Sequence, residues 1–471
     1  GATRASLLTG LYCQQTGHRG DRWNEPKDFS KCVLISEVMQ AGGYHTSMVG
    51  KWQGRNLAVK RGFNRFFGPN CRAKISYWHA VVGNDFYLND QPWKHPNDFF
   101  MTDAFNDHAV QFLEEVADGE KPFFLYVAYT SAHWPMHAPQ EEIDKYEGMY
   151  DDGYEVIRKK RYAAAIEKGV VDKRWGMSKG ARSWDEFPHK EWDTRCMEVY
   201  AAMVDRMDHG IGRIVDVLED NGQLENTLVI YLQDNGGCSE GYGRTSNADK
   251  KDRFQFKAFG PNDLQTKIWP PMQTRDGRWV RTGPETMPGG EDTFVAYGVG
   301  WANVSNTPFR GYKHEGYEGG ISTPFIVHWP DGIAEARRGS LVHDPTHLID
   351  IMPTLLQAAG GDYPSEYASH VIQPMEGKSL IPTFEGRVIE RDSPLGFEHH
   401  GNLALRDGRY KIVSAYRRDQ PTKWELYDMQ QDRTELHDLS SDLPEKKQEL
   451  IEKWQAWADR VGVQPWPLKR K

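Results

Sequence analysis

Long apolar runs are missing from this chain of 471 residues. The longest, Phe123 to Tyr129, has the length of a β-strand, and the mean hydropathy is -0.71 with 27% charged residues. A helix that crosses a membrane needs about 20 consecutive, mostly apolar residues. We therefore expect no transmembrane helix. The chain is long enough to bury a substantial core.

Cysteines are few, and none of them form a C-x-x-C pair. Because their number is odd, at least one is unpaired unless a partner lies upstream. This pattern excludes a zinc knuckle and a dense disulfide framework. The five are Cys13, Cys32, Cys71, Cys196 and Cys238.

An excess of basic residues is also missing. The chain has 58 Lys and Arg against 67 Asp and Glu, a formal net charge of -9. Binding of nucleic acid across a surface needs a basic face, so we expect no nucleic-acid partner. For an anionic ligand, positive charge must instead be concentrated locally, which favours a pocket that holds one anionic group.

Helical and strand patterns alternate over residues 1–385. Apolar residues recur at helical spacing in 102–117 and from Met197 to Leu218. The run from Arg158 to Arg161 is interpreted as a solvated helix face. The alternation predicts an α/β fold with a mostly parallel central sheet flanked by helices. Segments with strand composition are Tyr44 to Val49, Phe123 to Tyr129, Thr227 to Leu232 and Thr323 to His328.

Residues 386–471 differ in character from the rest of the chain. An Asp407-Gly408 turn between two strand-like segments indicates a hairpin, and Pro444 to Trp457 has an amphipathic helical pattern. We predict a smaller C-terminal α+β subdomain here, beside a larger α/β domain over 1–385.

Polar residues directly follow three predicted strands. They are Lys51, His133 and the pair Asp234-Asn235. Each has an ordinary interpretation, as a loop lysine, a capped loop histidine and a turn. Because parallel strands end at one edge of a sheet, where α/β proteins bind ligands, these side chains could converge. Oxygen ligands without a nearby Cys or His suit calcium or magnesium rather than zinc.

The first ten residues have the pattern of a short helix. Thr3 suits its opening, and Gly10 suits a left-handed cap at its end. The N-terminus of a helix, here with Arg4 beside it, attracts anions.

Five separately spaced motifs stand out in the sequence. They are Thr3-Arg4-Ala5-Ser6-Leu7-Leu8-Thr9-Gly10, Gly50-Lys51-Trp52-Gln53, His133-Trp134-Pro135, Asp234-Asn235-Gly236, and Pro308-Phe309-Arg310 with Lys313 and Glu318-Gly319-Gly320. Each motif has little specificity alone, but together they resemble the motifs of the formylglycine-dependent sulfatases, in the arylsulfatase-like branch of the alkaline phosphatase superfamily. The resemblance implies that the Cys or Ser converted to formylglycine directly precedes Gly1, and that an upstream segment carries the first strand.

The resemblance implies a role for each residue of these motifs. Arg4 would hold the formylglycine, Lys51 and Lys313 would bind sulfate oxygens, and His133 would protonate the leaving sugar oxygen. It also implies a formylglycine-generating maturation enzyme as a partner, and a periplasmic or secreted location.

Metal binding is implied in the same way. One calcium ion would be held by Asp234, Asn235 and two acidic residues of the upstream segment. Gln53 departs from the family, which has a histidine there that helps to expel sulfate from the covalent intermediate. A glutamine cannot titrate, so turnover could be slow, or another histidine could substitute.

The substrate implied is a sulfated carbohydrate, a galactose-type unit of a polysaccharide attacked from an end. Sixteen tryptophans fit sugar stacking, although most tryptophans in a chain of this size are core. We predict substrate contacts from Gln53, His399, His400, Asn402 and Arg406, with domain packing an equally good interpretation of any one of the last four.

Two other functions stay open. A phosphomonoester or phosphonate hydrolase of the same superfold would need more Asp and His ligands than the sequence offers. A non-catalytic binder of sulfated glycans is consistent with Gln53.

Overall fold

The computed structural model describes residues 1–19, 29, 31–52, 54, 56–69, 77–78, 86–94, 96, 98–249, 255–260, 263, 267 and 269–467. Gln53 and Cys71 lie outside these ranges. The helices are α1 Ala2–Thr9, α2 Ile35–Ala41, α3 Met101–Ala117, α4 Gln140–Asp144, α5 Gly153–Glu167, α6 Lys190–Asp220, α7 Gly298–Ser305, α8 Glu318–Ile321, α9 Ile351–Ala359, α10 Ile381–Phe384 and α11 Pro444–Val461. The strands are β1 His45–Gly50, β2 Arg65–Pro69, β3 Phe86–Leu88, β4 Gln91–Pro92, β5 Phe123–Ala128, β6 Val229–Leu232, β7 Phe325–His328, β8 Glu366–Tyr367, β9 His370–Val371, β10 Leu395–His399, β11 Asn402–Asp407, β12 Tyr410–Ser414 and β13 Glu425–Asp428.

A five-stranded sheet in the order β4-β3-β2-β1-β5 forms the centre of the fold. β1 is parallel to β2 and β5, whereas β2, β3 and β4 pair antiparallel. The predicted α/β class with a central sheet flanked by helices is confirmed. The pairing is mixed, and in the described residues β6 pairs antiparallel with β7, where the sequence predicted a parallel neighbour.

Both faces of the central sheet are covered, as the alternation of side chains along β1 and β2 shows. Val49 and Phe67 pack into a core with α3, α6 and α7, while their neighbours Met48 and Phe66 pack into a second core with α1, α2 and α9. The methionines of α6 are buried, as the helical spacing of its apolar residues indicates. The layers are therefore helix, sheet and helix.

A cavity of 3690 Å³ is lined by β5, β6 and β7 and by apolar residues of α6. These strands are consequently only half-buried, and Ile326 keeps 59% of its surface exposed. The apolar composition of β5, β6 and β7 therefore does not correspond to complete burial in this structure.

The C-terminal sheet is antiparallel, in the order β10-β11-β12-β13, with α11 packed against it. The hairpin at Asp407-Gly408 is confirmed, while β10 was not predicted. Lys411 in β12 joins this sheet to the rest of the chain, because its Nζ lies 2.7 Å from Glu318 Oε1 and 2.8 Å from Glu435 Oε1. The boundary at residue 385 stays a prediction.

The basic run in α5 is only partly a solvated face. Lys159, Lys160 and Arg161 are exposed, as predicted, but Arg158 is buried and donates from Nη1 to the carbonyl oxygen of Ser178 at 2.9 Å. Across the described ranges, none of the helices combines the length and the apolar character that spanning a bilayer requires.

Candidate active site

The first turn of α1 and the end of β6 meet through an ion pair. Arg4 Nη1 lies 3.2 Å from Asp234 Oδ2, and the Arg4 side chain is 14% exposed. The Tyr126 hydroxyl of β5 is a further hydrogen-bond partner of Arg4. Residues separated by 230 positions in the sequence thus form one charged centre.

Two lysines are held beside this centre by backbone hydrogen bonds. The Lys51 N–H donates to the Ala128 carbonyl at 2.8 Å, which continues the parallel register of β1 and β5. The Lys313 N–H donates to the Gly237 carbonyl at 3.0 Å, in the loop that follows β6. Both lysines therefore lie at the edge of the fold that carries Asp234.

The electrostatics of Asp234 reflect this convergence. Burial on its own would raise the pKa of the Asp234 carboxyl, but the positive charges of Arg4, Lys51 and Lys313 lower it below its ordinary value. The carboxylate is therefore ionised at neutral pH, with an excess of positive charge around it.

Glu240 contacts both Lys313 and His314. Its carboxylate accepts a hydrogen bond from Trp134 Nε1 at 2.8 Å and lies 3.7 Å from Lys313 Nζ and 3.6 Å from His314 Nε2. Burial would raise the pKa of this carboxyl, but His314 and Lys313 lower it well below its usual range. Glu240 is thus a second fixed anion, which orients Lys313.

His133 follows β5 and has a defined tautomer. Its Nδ1 lies 2.6 Å from the carbonyl oxygen of Trp134, and because a carbonyl can only accept, Nδ1 must donate. In the neutral ring Nε2 then carries no hydrogen. His133 can therefore donate a proton from Nε2 only as an imidazolium.

Three histidine rings form a stack beside Lys313. His399 lies 4.0 Å from His400 and 5.1 Å from His314, measured between ring centroids, and Trp466 stacks on His400 at 4.7 Å. Burial, together with the charges of His400, His314 and Lys313, lowers the pKa of His399 far below its ordinary value. His399 is therefore neutral at physiological pH.

The other predicted substrate residues are occupied within the C-terminal sheet. Asn402 donates from Nδ2 to the His399 carbonyl at 3.2 Å and accepts from the Tyr416 N–H at 3.0 Å. Arg406 donates to the Gly408 carbonyl at 3.1 Å, and its charge interacts with the buried Glu318. Their contact with substrate stays a prediction, as does that of Gln53, which lies outside the described residues.

Sequence reasoning missed three residues of this centre. His314 directly follows Lys313, so its proximity to that lysine was available from the sequence. Glu240 lies in an aperiodic, glycine-rich stretch, and Tyr126 lies inside an apolar strand. Neither offered a signal of its own.

The residues present fit a calcium ion in ligand type but fill only part of its coordination. Asp234 is ionised, and Asn235 donates from Nδ2 to Gly236, so its amide oxygen is oriented away from that contact. Calcium takes about six to eight oxygen ligands. Within the described ranges, no group of three or more His, Cys, Asp or Glu side chains includes Asp234.

Family comparisons agree with this arrangement of residues. The Sulfatase model matches residues 1–361, and the model described as N-sulphoglucosamine sulphohydrolase, C-terminal, matches residues 312–457. The chain belongs to the sulfatase family and is a sulfuric ester hydrolase.

Individual relatives span most of the chain. An uncharacterized sulfatase of Schizosaccharomyces pombe is 32% identical over 463 residues, covering 92% of this chain and 78% of that protein. An arylsulfatase of Klebsiella aerogenes is 28% identical over 402 residues, covering 80% of each.

A similar fold is found in solved structures. The crystal structure of Ps i-CgsB has a TM-score of 0.63 at 20% identity, covering 97% of this chain and 82% of that one. A protein solved in complex with its substrate D-glucosamine-2-N,6-O-disulfate has a TM-score of 0.59 at 19% identity, covering 100% of this chain and 90% of that one. At these identities the likeness concerns the fold alone.

Proposed function

We propose that this sulfatase removes sulfate from a sulfated carbohydrate, acting on an end unit through a formylglycine encoded directly before Gly1 and one calcium ion. The observation that carries the proposal is the convergence of Arg4, Lys51 and Lys313 on Asp234. Three fixed cations in a chain of net charge -9 create a local site for one anionic group.

The charges suit the chemistry of a sulfate monoester. Such esters hydrolyse very slowly in water, so an enzyme must stabilise the charge that develops on the sulfonyl and leaving oxygens. In the proposal, Lys51 and Lys313 bind the sulfonyl oxygens from two sides. Glu240 holds the Lys313 ammonium group, and backbone hydrogen bonds fix the main chain at both lysines before substrate arrives.

Arg4 is the residue proposed to hold the nucleophile. Its guanidinium is fixed by Asp234 and Tyr126 at the start of α1, directly after Gly1. When present, a formylglycine supplies a hydrated aldehyde as nucleophile, and a bound calcium ion supplies positive charge that favours its ionised hydroxyl. The metal would be held by Asp234, Asn235 and acidic residues of an upstream segment.

His133 is the proposed proton donor to the departing sugar oxygen. Because Nδ1 donates to the Trp134 carbonyl, the transferable proton is the one on Nε2 of the cationic ring. The anionic substrate would favour that cation. Proton donation of this kind commonly contributes about 10²- to 10⁴-fold to the rate.

A carbohydrate substrate is favoured by the names of relatives. The match to the N-sulphoglucosamine sulphohydrolase C-terminal model, a rat N-acetylgalactosamine-6-sulfatase that is 23% identical, and the complex with a disulfated glucosamine all concern sulfated amino sugars. Another structure with this fold, at TM-score 0.59, is a complex with k-i-k-neocarrahexaose. His399 and His400 beside Lys313 are the proposed contacts of the sugar.

The experiment measures sulfate release from a panel of defined sulfated monosaccharides and oligosaccharides. The protein is produced with its upstream residues and together with a formylglycine-generating enzyme. We expect release from one or a few saccharides, with chain ends preferred over internal units. A preference for phosphate or phosphonate esters would select the other hydrolase. Tight binding of sulfated sugar without hydrolysis would select the binding protein.

A further inference from the structure

We propose that His314, His399 and His400 form a binding site for a borderline divalent cation of the Zn²⁺ class, with Glu240 as the fourth ligand. This site is separate from the oxygen ligands Asp234 and Asn235 assigned to calcium.

The three histidines offer ligand atoms at metal-binding range. One ring nitrogen from each can be chosen so that all three lie within 4.8 Å of one another. Tetrahedral Zn²⁺ with Zn–N bonds of about 2.05 Å requires nitrogens about 3.3 Å apart, so the atoms need to approach by at most about 1.5 Å. The rings are nearly parallel, with interplanar angles of 8° to 21°. Because the lone pairs lie in the ring planes, the rings must rotate about their Cβ–Cγ bonds before the lone pairs meet at a common point.

A carboxylate lies beside one of the three histidines, outside the group whose ligand atoms all lie within 4.8 Å of one another. Glu240 Oε1 lies 3.6 Å from His314 Nε2, while the other oxygen, Oε2, faces Lys313 at 3.7 Å. Glu240 therefore stands between the lysine and the histidines, and its negative charge offsets the repulsion that Lys313 would exert on a cation. Three imidazoles and one carboxylate favour Zn²⁺ or similar ions, whereas calcium prefers oxygen ligands alone.

The backbone holds two of the histidines in an uncommon conformation. His314 has φ 82° and His400 has φ 51°, both in the left-handed region that non-glycine residues rarely adopt. Strained positions of this kind persist where the surrounding structure fixes them, and they cluster at ligand sites. All three histidines are half-buried and line the same cavity as Lys313, so an ion can reach them from solvent.

A bound ion would lie beside Lys313 and fix the rings of His399 and His400. If the proposed function holds, these rings contact the sugar, and Zn²⁺ would then inhibit sulfate release. This consequence rests on the proposed function, whereas binding of the metal alone does not.

The test titrates the full-length protein with ZnCl₂ by calorimetry in excess Ca²⁺, without substrate. We expect one site per chain, with affinity reduced about tenfold or more in His314→Ala, His400→Ala and Glu240→Gln. The control is His209→Ala, an exposed histidine of the separate group Glu142, Asp205 and His209, and this variant should bind Zn²⁺ as the wild type does. Co²⁺ should give the visible absorption of a tetrahedral complex in the wild type, and that absorption should be lost in His400→Ala.

Wild-type protein that binds no Zn²⁺ would overturn the inference, as would variants that bind it with unchanged affinity. Circular dichroism confirms that each variant is folded, and Glu240→Gln keeps the test decisive if a histidine variant does not fold. Zn²⁺ binding by protein that releases no sulfate would support this site and contradict the proposed function. Sulfate release without Zn²⁺ binding would support the proposed function and contradict this site.

Discussion

Replacing Lys411 by methionine should destabilise the fold strongly and in a pH-dependent way. The Lys411 side chain is fully buried, and its Nζ neutralises two buried carboxylates, Glu318 at 2.7 Å and Glu435 at 2.8 Å. Methionine fills the space without the charge. Arg433 Nε, 3.1 Å from Glu318 Oε2, then remains as a cation beside the pair. Removing one partner from a buried ion pair costs about 3 to 5 kcal/mol.

The pH dependence follows from Glu435. Burial raises the pKa of Glu435 to about 7. The positive charge of Lys411 lowers this pKa, and the negative charge of Glu318 raises it. Loss of Lys411 raises this pKa further. A carboxyl whose pKa is raised on folding contributes stability that is present below its unfolded pKa and is lost as pH rises through its folded pKa. The deficit of Lys411→Met should therefore be larger at about pH 8.5 than at about pH 5.5.

Urea unfolding at both pH values measures the effect. The matched control is Lys453→Met, whose ammonium is 41% exposed and pairs with Asp407 and Glu449 on the surface. Exposed pairs contribute at most about 1 kcal/mol, so this variant should unfold close to the wild type. A Lys411→Met variant within about 1 kcal/mol of the wild type at the higher pH would refute the reasoning, as would a deficit that grows as pH falls.

Three further outcomes are expected. Gly50→Ala should destabilise the fold by several kcal/mol, roughly the sum of backbone strain and overpacking, because the added Cβ would lie 2.2 Å from the Ala128 oxygen. The control in thermal melts is Gly43→Ala, which is also at positive φ but has nothing within 4 Å of the added Cβ. Equal losses of stability in the two variants would contradict this prediction. Gln53→His should raise the turnover number of sulfate release without weakening binding, and unchanged release kinetics would count against the inferred role. Burial lowers the pKa of His347 to about 4, so the free energy of unfolding should fall as pH drops from about 6.5 to 4. His347→Asn should remove part of this pH dependence. An unchanged slope in the variant would assign the pH dependence to other groups.

Local elements of the fold could be predicted because their signals are local. The helical period placed α3 within one residue of its observed start and identified the buried face of α6, and the Asp407-Gly408 turn identified a hairpin. These patterns depend only on residues a few positions apart. The polar residues at strand ends were found for the same reason.

Long-range pairing and burial could not be predicted in this way. The antiparallel partner of β6 is β7, which lies almost a hundred residues later in the sequence. A run of apolar residues predicts a strand but does not identify the strand with which it pairs. Arg158 reads as one more charge in a basic run, because its partner Ser178 belongs to a different segment. The convergence of Arg4 and Asp234 was inferred from the family resemblance and from strand ends, and Glu240 was not found at all.

The central claim is that Lys51 and Lys313 bind one sulfate ester together. The most direct test measures kcat/KM for a sulfated sugar with Lys51→Ala and Lys313→Ala in the matured, full-length protein, against Lys159→Ala on the exposed face of α5. We predict a loss of about 10²-fold or more in each of the first two, and no change in the third. Wild-type kcat/KM in Lys313→Ala or Lys51→Ala would contradict the account.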